Sequence, residues 1–308
     1  MLATLYDRLA SSRSAQLRAA FFAVLATALL ATMHALVRRT SQGLHPFEIA
    51  FFRNLFGLLT VTPFLIRAGR GALRTQQPRL QMLRSALGII ALLSWFYGLS
   101  RVPIAQATAL SFSAVIFATL GASFILHEKL HLRRWLAVGC SFAGTLIVLR
   151  PGFHELNVGV LVILLSSVCW GTNLIIVKRL SGTDETFSVV AWMSIMMTVL
   201  AILPAVWVWR WPTMEQTGWL LLVGLTGGAG QLAMTKAMQL ADASVVVPLD
   251  FTRLLWTSLI GYWWFAEIPD LWTWIGGAVI FLSSALLTYR ESRSKFPHPA
   301  PVASGKSA

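Results

Sequence analysis

Asp250 and Arg253 lie three residues apart inside a long apolar run. On a helix that spacing places both on one face, where guanidinium and carboxylate can pair. A guanidinium at such a depth can hold an anionic group, and the carboxylate can set its position or exchange a proton. The competing reading is a structural ion pair that locks its helix. Pro248, just upstream, removes a backbone donor and leaves a nearby carbonyl free. Three more cations, Arg53, Arg84 and Lys236, also fall within apolar runs. A charge at mid-membrane costs about 2.5–3.5 kcal/mol on insertion scales, so it persists with a partner, a cavity or a role.

Each of these has two readings. Arg84 is followed at helical spacing by Gly88, Ala91 and Trp95. That makes a groove with a charge at its mouth and a ring at its middle, or a snorkelling arginine beside a packed helix. Arg53 stands beside Asn54, with Glu48 too far round the helix for an ideal pair. It is a substrate contact or an interhelical anchor. Lys236 can snorkel from near a span's inner end. Gln231 shares a face with Thr235 and follows Gly227, Gly228 and Gly230, a cluster that serves close packing or a hinge. Trp95, Tyr97, Phe112, Trp170, Trp192, Phe251 and Trp256 can line a cavity and stack on a flat or cationic group. Most of the 13 tryptophans belong to packing or to lipid belts, as Trp207, Trp209 and Trp211 do. His34 reads as a buried, satisfied histidine rather than a proton relay.

The elements that must position these residues are apolar helices. Ten stretches fill the chain, near 18–37, 47–66, 80–99, 104–126, 134–149, 158–177, 187–209, 217–238, 245–265 and 272–289. A helix rises about 1.5 Å per residue, so roughly 20 apolar residues cross the hydrocarbon core. The chain therefore reads as an all-α, multi-pass membrane protein with ten transmembrane helices. Composition agrees: 56% of the 308 residues are hydrophobic and 12% are charged, with a mean hydropathy of +0.68. A net charge of +13 on a soluble chain would suggest nucleic acid. Here the cations sit in loops and tails and set orientation instead. With a cytoplasmic amino terminus, sixteen basic residues fall on the inside and five, Arg38, Arg39, Arg101, Arg150 and Arg210, on the outside. Both termini are then cytoplasmic in a bacterial-type inner membrane, with Arg38 and Arg39 the exceptions to the bias. The first span is too long for a signal peptide and reads as retained. Cys140 and Cys169, inside spans five and six, read as packing residues, with no metal spacing.

The two halves repeat. A shift of 139 residues without gaps pairs Glu128 with Glu267, Leu132 with Leu271, Trp135 with Trp274 and Phe142 with Phe281. It also pairs Leu110 with Leu249 and Phe112 with Phe251. Five spans per half is an odd number, so the second half enters the membrane inverted. Inverted repeats are a common build of secondary transporters, with the substrate site near the midplane where the repeats meet. The expected organisation is a cytoplasmic lead-in over 1–17, five-helix repeats over 18–150 and 158–290, and a disordered cytoplasmic tail over 291–308.

This pattern resembles the EamA-type transporters of the drug/metabolite transporter superfamily. The resemblance rests on the five-plus-five spans and on the Glu128–Gly144 stretch, and it covers about residues 18–290. The second copy departs from it at Pro269 and at Ser283, which stands where the first has Gly144. HPFEIAFFRN (45–54), SWFYGLSRVPIAQATAL (94–110) and ADASVVVPLDFTRL (241–254) resemble the branch with S-adenosylmethionine-type and riboflavin-type carriers and exporters of amino-acid-derived metabolites. The resemblance implies that Glu128 and Glu267 tie loop to helix.

No H-E-x-x-H, G-x-S-x-G or P-loop sequence occurs, which argues against an intramembrane enzyme and against direct drive by ATP. A channel would need a ring of like groups from several chains. The reading is a carrier without a cofactor, five helices rocking against five around a central site. The substrate-binding candidates are Arg253, Asp250, Arg84, Trp95, Arg53, Lys236, Tyr97 and Gln231. Arg53, Arg84, Lys236 and Arg253 outnumber Asp250 and Glu48, which favours a small carboxylate-bearing or amino-acid-derived metabolite. Export is favoured by the resemblance; uptake of a cofactor-like compound is the alternative. Proton coupling is open through Asp250, and the oligomeric state is not set by the sequence.

Overall fold

The computed structural model describes residues 2–68, 75–126, 132–149, 157–180, 186–240, 246 and 249–294. Among these every regular element is a helix: α1 (Leu2–Thr40), α2 (Pro46–Ala68), α3 (Pro78–Leu99), α4 (Ile104–Ser111), α5 (Ala114–Leu126), α6 (Leu132–Leu149), α7 (Val158–Leu180), α8 (Thr186–Trp207), α9 (Met214–Leu240), α10 (Thr252–Phe265) and α11 (Leu271–Ser294). Pro248 and Glu128 lie outside the described residues. Among the described residues four apolar segments are long enough to cross a membrane: Gln16–Thr40, Pro78–Leu99, Ile104–Gly121 and Val158–Val177. Val138–Leu149, Trp192–Trp207 and Leu271–Ser283 are shorter apolar helices. The chain is thus an all-helical membrane protein.

Two spans are broken, and they are broken at matched places. The fourth interrupts at Phe112–Ser113, between α4 and α5, and the ninth turns at Phe251, just before α10. The 139-residue shift superposes LSFS (110–113) on LDFT (249–252). A chemically matching bond accompanies both. Ser113 donates from Oγ to the Leu110 carbonyl at 2.7 Å, and Thr252 donates from Oγ1 to the Leu249 carbonyl at 2.7 Å. A hydroxyl that bonds back to its preceding turn competes with the helix ladder and bends it. The Phe112 and Ser113 amides accordingly bond three residues back, to Ala109 and Leu110.

Helix packing follows the same two-fold relation. α1 lies on α9 as α3 lies on α7; α2 meets α9 as α3 meets α8; α1 meets α10 as α4 and α5 meet α7. The pairs α2–α8, α4–α10 and α6–α11 map onto themselves. Small residues let these backbones approach. A Cβ on Gly144 of α6 would lie 2.9 Å from the Gly276 carbonyl of α11, and one on Gly276 would lie 2.6 Å from the Gly144 carbonyl. Each half therefore packs mainly on the other. Packing units such as α1–α2–α9 and α3–α7–α8 draw on both halves.

Several smaller expectations are also settled by packing. Cys169 is buried, but Cys140 faces outward and so packs no core. Trp207 and Trp211 project from the surface, whereas Trp209 folds back against Phe51 and Phe52. Three glycines of α9 serve close packing: Gly224 meets Phe56, Gly227 meets Met33, and Gly230 meets Leu30.

Candidate functional site: a buried arginine at a central cavity

A cavity of about 230 Å³ lies between α2, α3, α7, α8 and α9, and its wall includes Arg53, Asn54, Arg84, Trp170, Met193 and Gln231. No acidic side chain is among its described lining. Arg53 projects from the first half of α2 and donates to Asn54 Oδ1 at 3.0 Å. Its Nε and the Asn54 Nδ2 are buried without a hydrogen-bond partner among the described residues. Room for the guanidinium comes from Gly227, where a Cβ would lie 3.3 Å from Arg53 Nε. Among the described residues Arg53 has no carboxylate partner, and burying a cation in this way is costly unless something anionic visits.

Arg84 is 7% exposed on α3. Asn173 of α7 braces that turn. In the amide orientation that satisfies both ends, it donates to the Arg84 carbonyl and accepts from the Gly88 amide, each at 3.1 Å. Asn173 escaped the sequence reading, although a lone amide in an otherwise apolar span is a readable signal. Met193 of the cavity wall had no such signal.

Arg253 and Asp250 form the expected pair at 3.0 Å, part-buried. The Arg253 guanidinium stands 5.3 Å from the Phe112 ring centre. Phe112, Phe251 and Phe281 gather there, with centroids 4.4–6.3 Å apart. Both helix breaks thus meet at one aromatic cluster, and the ion pair belongs to the second repeat alone: the shift places Ser111 and Ala114 where Asp250 and Arg253 stand. His34 meets the Trp95 ring edge-on at 5.1 Å. It is buried as expected but not satisfied, because Nδ1 has no partner among the described residues.

The structure brings Arg53, Arg84 and Gln231 to one cavity, sets the Asp250–Arg253 pair apart beside Phe112, and packs Trp95 on His34. Tyr97 and Lys236 stand apart. Tyr97 lies under Arg101, 4.8 Å from its guanidinium, and lines a separate cavity of about 740 Å³ with His45 and Arg210. Lys236 is exposed on α9 and lines none of these cavities. Glu48 also leaves the charge count: its Oε1 accepts from the Arg210 amide at 2.6 Å and its Oε2 from the His45 amide at 3.3 Å. It ties two links together at the end of the bundle.

Broken helices related by a two-fold, closing on buried charged groups and a cavity, define a membrane carrier. Known proteins agree. The EamA-like transporter family matches twice, over residues 17–150 and 157–289, and the chain belongs to that family. It is therefore a multi-pass inner-membrane transporter of the drug/metabolite transporter superfamily. It is 30% identical to an S-adenosylmethionine uptake transporter of Rickettsia bellii, over 82% of this chain and 86% of that one. It is 33% identical to a riboflavin transporter of Vibrio cholerae, over 82% and 85%. It is 28% identical to the pseudopaline exporter CntI of Pseudomonas aeruginosa, over 86% and 94%. A crystal structure 18% identical superposes with a TM-score of 0.61, covering 92% of this chain and 99% of the other, which shows the fold alone.

Proposed function

We propose that this transporter moves a small carboxylate-bearing, amino-acid-derived metabolite by alternating access, with export as the working direction. The observation that carries this reading is Arg53: a part-buried guanidinium at a cavity, with a buried, unpartnered Nε and no carboxylate partner among the described residues. A substrate carboxylate would supply the missing anion through a charge-assisted, potentially bidentate contact. Arg253 has Asp250 beside it and serves as the second charge of the site. Asp250 is the group through which a proton would couple. Ten spans with both termini cytoplasmic complete the proposal, supported by the charge distribution and by the two-fold packing. Catalysis has no place in it.

The second reading is uptake of a cofactor-like compound, favoured by the names of the Rickettsia and Vibrio relatives. Metabolite profiling of wild type, a deletion, and the deletion complemented with Arg53→Gln separates the two. A carboxylated compound that accumulates inside the deletion cells and vanishes from their medium supports export. A compound left in the medium and depleted inside favours uptake.

A further inference from the structure

At the end of the bundle that carries the α1–α2, α3–α4 and α10–α11 links, one arginine ties three segments together. Arg38, in the last turn of α1, donates from NH1 to the carbonyls of Leu99 and Val102, and its NH2 pairs with Glu267 Oε1. The other carboxylate oxygen of Glu267 accepts from the Ile104 amide at 3.0 Å, satisfying an orphan donor at the start of α4. The Arg38 guanidinium also stands 5.5 Å from the Phe265 ring centre. Both side chains are largely sheltered, at 20% and 16% exposure.

A left-handed cap that ends α10 turns the chain into this contact, with the Ala266 amide on the Tyr262 carbonyl at 3.1 Å and the Glu267 amide on the Gly261 carbonyl at 3.0 Å. Ala266, which precedes Glu267, has φ of 53° and is the one non-glycine residue with positive φ among those described. A left-handed alanine is strained, and it persists where surrounding contacts fix it. Arg38 also answers an anomaly of the charge pattern: it is held inside the fold and is not a loop charge that sets orientation. Directly beside the contact is a cavity of about 330 Å³, lined by Arg101, Gln106, Asn157, Thr257, Glu267 and Thr273. Thr257 donates from Oγ1 to the Arg253 carbonyl at 2.9 Å, so the cavity wall reaches the turn that bears the central ion pair.

We infer that Arg38 and Glu267 are the gate residues of this mouth, and that the neighbouring cavity is the vestibule substrate crosses when they part. The contact joins α1, from one packing unit, to the start of α4 and the α10–α11 link. Opening this mouth separates those segments and so must break it. The inference rests on the alternating-access reading, but its test needs no substrate and so can fail separately.

The test is thiol accessibility of a single cysteine at the vestibule wall, Thr257→Cys in a Cys140→Ser/Cys169→Ser background, in membranes and in purified protein, with a Cys140→Ser protein that keeps only Cys169 as the separate control. Thr257 is fully buried in the closed arrangement, and labelling by a small methanethiosulfonate should be slow. Glu267→Gln keeps an oxygen to accept from Ile104 and removes only the charge that Arg38 meets. It should speed labelling about tenfold, the factor carried by one hydrogen bond to a charged group. Arg38→Gln should do the same, and the double variant should label no faster than either single, as for two halves of one contact. Unchanged rates, or additive effects, overturn the inference. So does faster labelling of buried Cys169 when the control carries the same substitutions, which would report general loosening rather than a gate.

Discussion

Replacing Arg53 by glutamine removes one of the two arginine side chains lining the cavity while leaving a donor next to Asn54. In the wild type, Arg53 gives one hydrogen bond to Asn54 at 3.0 Å and keeps its buried Nε unpartnered. The glutamine amide can take over the bond to Asn54, so the loss should fall on the substrate rather than the fold. One hydrogen bond between a charged group and its partner contributes about 1.5–3 kcal/mol net. Each 1.4 kcal/mol is about a factor of ten, so the KM for the carboxylate-bearing substrate should rise roughly 10- to 100-fold. Relief of a part-buried, uncompensated cation should leave thermal stability in detergent unchanged or higher. The assay is counterflow in proteoliposomes at matched protein incorporation, with Lys236→Gln as the control. Lys236 is exposed on α9 and apart from the cavity, so its KM should stay within about twofold of wild type, a surface-level effect. The reasoning is refuted if Arg53→Gln melts early while its KM is normal, because Arg53 would then be an anchor between helices.

Three further outcomes follow from the geometry. Asp250→Asn should lower thermal stability more than the double variant Asp250→Asn/Arg253→Gln, since the single strands a part-buried guanidinium; equal melting of the two would show that the pair contributes nothing. Gly227→Ala should raise KM, because its Cβ would sit 2.6 Å from Met33 Sδ and 3.3 Å from Arg53 Nε; an unchanged KM would mean that only Met33 yields. Gly276→Ala should destabilise the protein by about 1–3 kcal/mol, the usual cost of overpacking, because its Cβ would meet Val148 Cγ2 at 2.5 Å and the backbone carbonyl of Gly144 at 2.6 Å, and the backbone cannot swing aside. A detergent melting curve reads that directly, and no shift would refute the close crossing of α6 and α11.

The sequence by itself determined the class of this protein. Runs of apolar residues of membrane length admit helices and little else, because every backbone group in lipid must be satisfied within its own segment. It also determined the repeat, since matched residues at one shift are visible without coordinates. The pair Asp250–Arg253 was legible as well, because partners three residues apart meet through helix geometry alone. The bend hydroxyls, Ser113 and Thr252, were on view in the repeat but carried no signal until their bonds to Leu110 and Leu249 were seen.

Only the tertiary structure decided which charges matter together. Arg53 was ambiguous in sequence because its neighbours, Arg84, Trp170, Met193 and Gln231, come from four other helices. Glu48 and Lys236 looked like members of the same charge balance and are not, one tied to the Arg210 amide and the other turned outward. Arg38 and Glu267, each plain in its own segment, become a single contact when α1 and the α10–α11 link are brought side by side. Periodicity within a helix reports which residues share a face. Which helix that face meets depends on packing between distant segments, and here the two halves pack more on each other than on themselves.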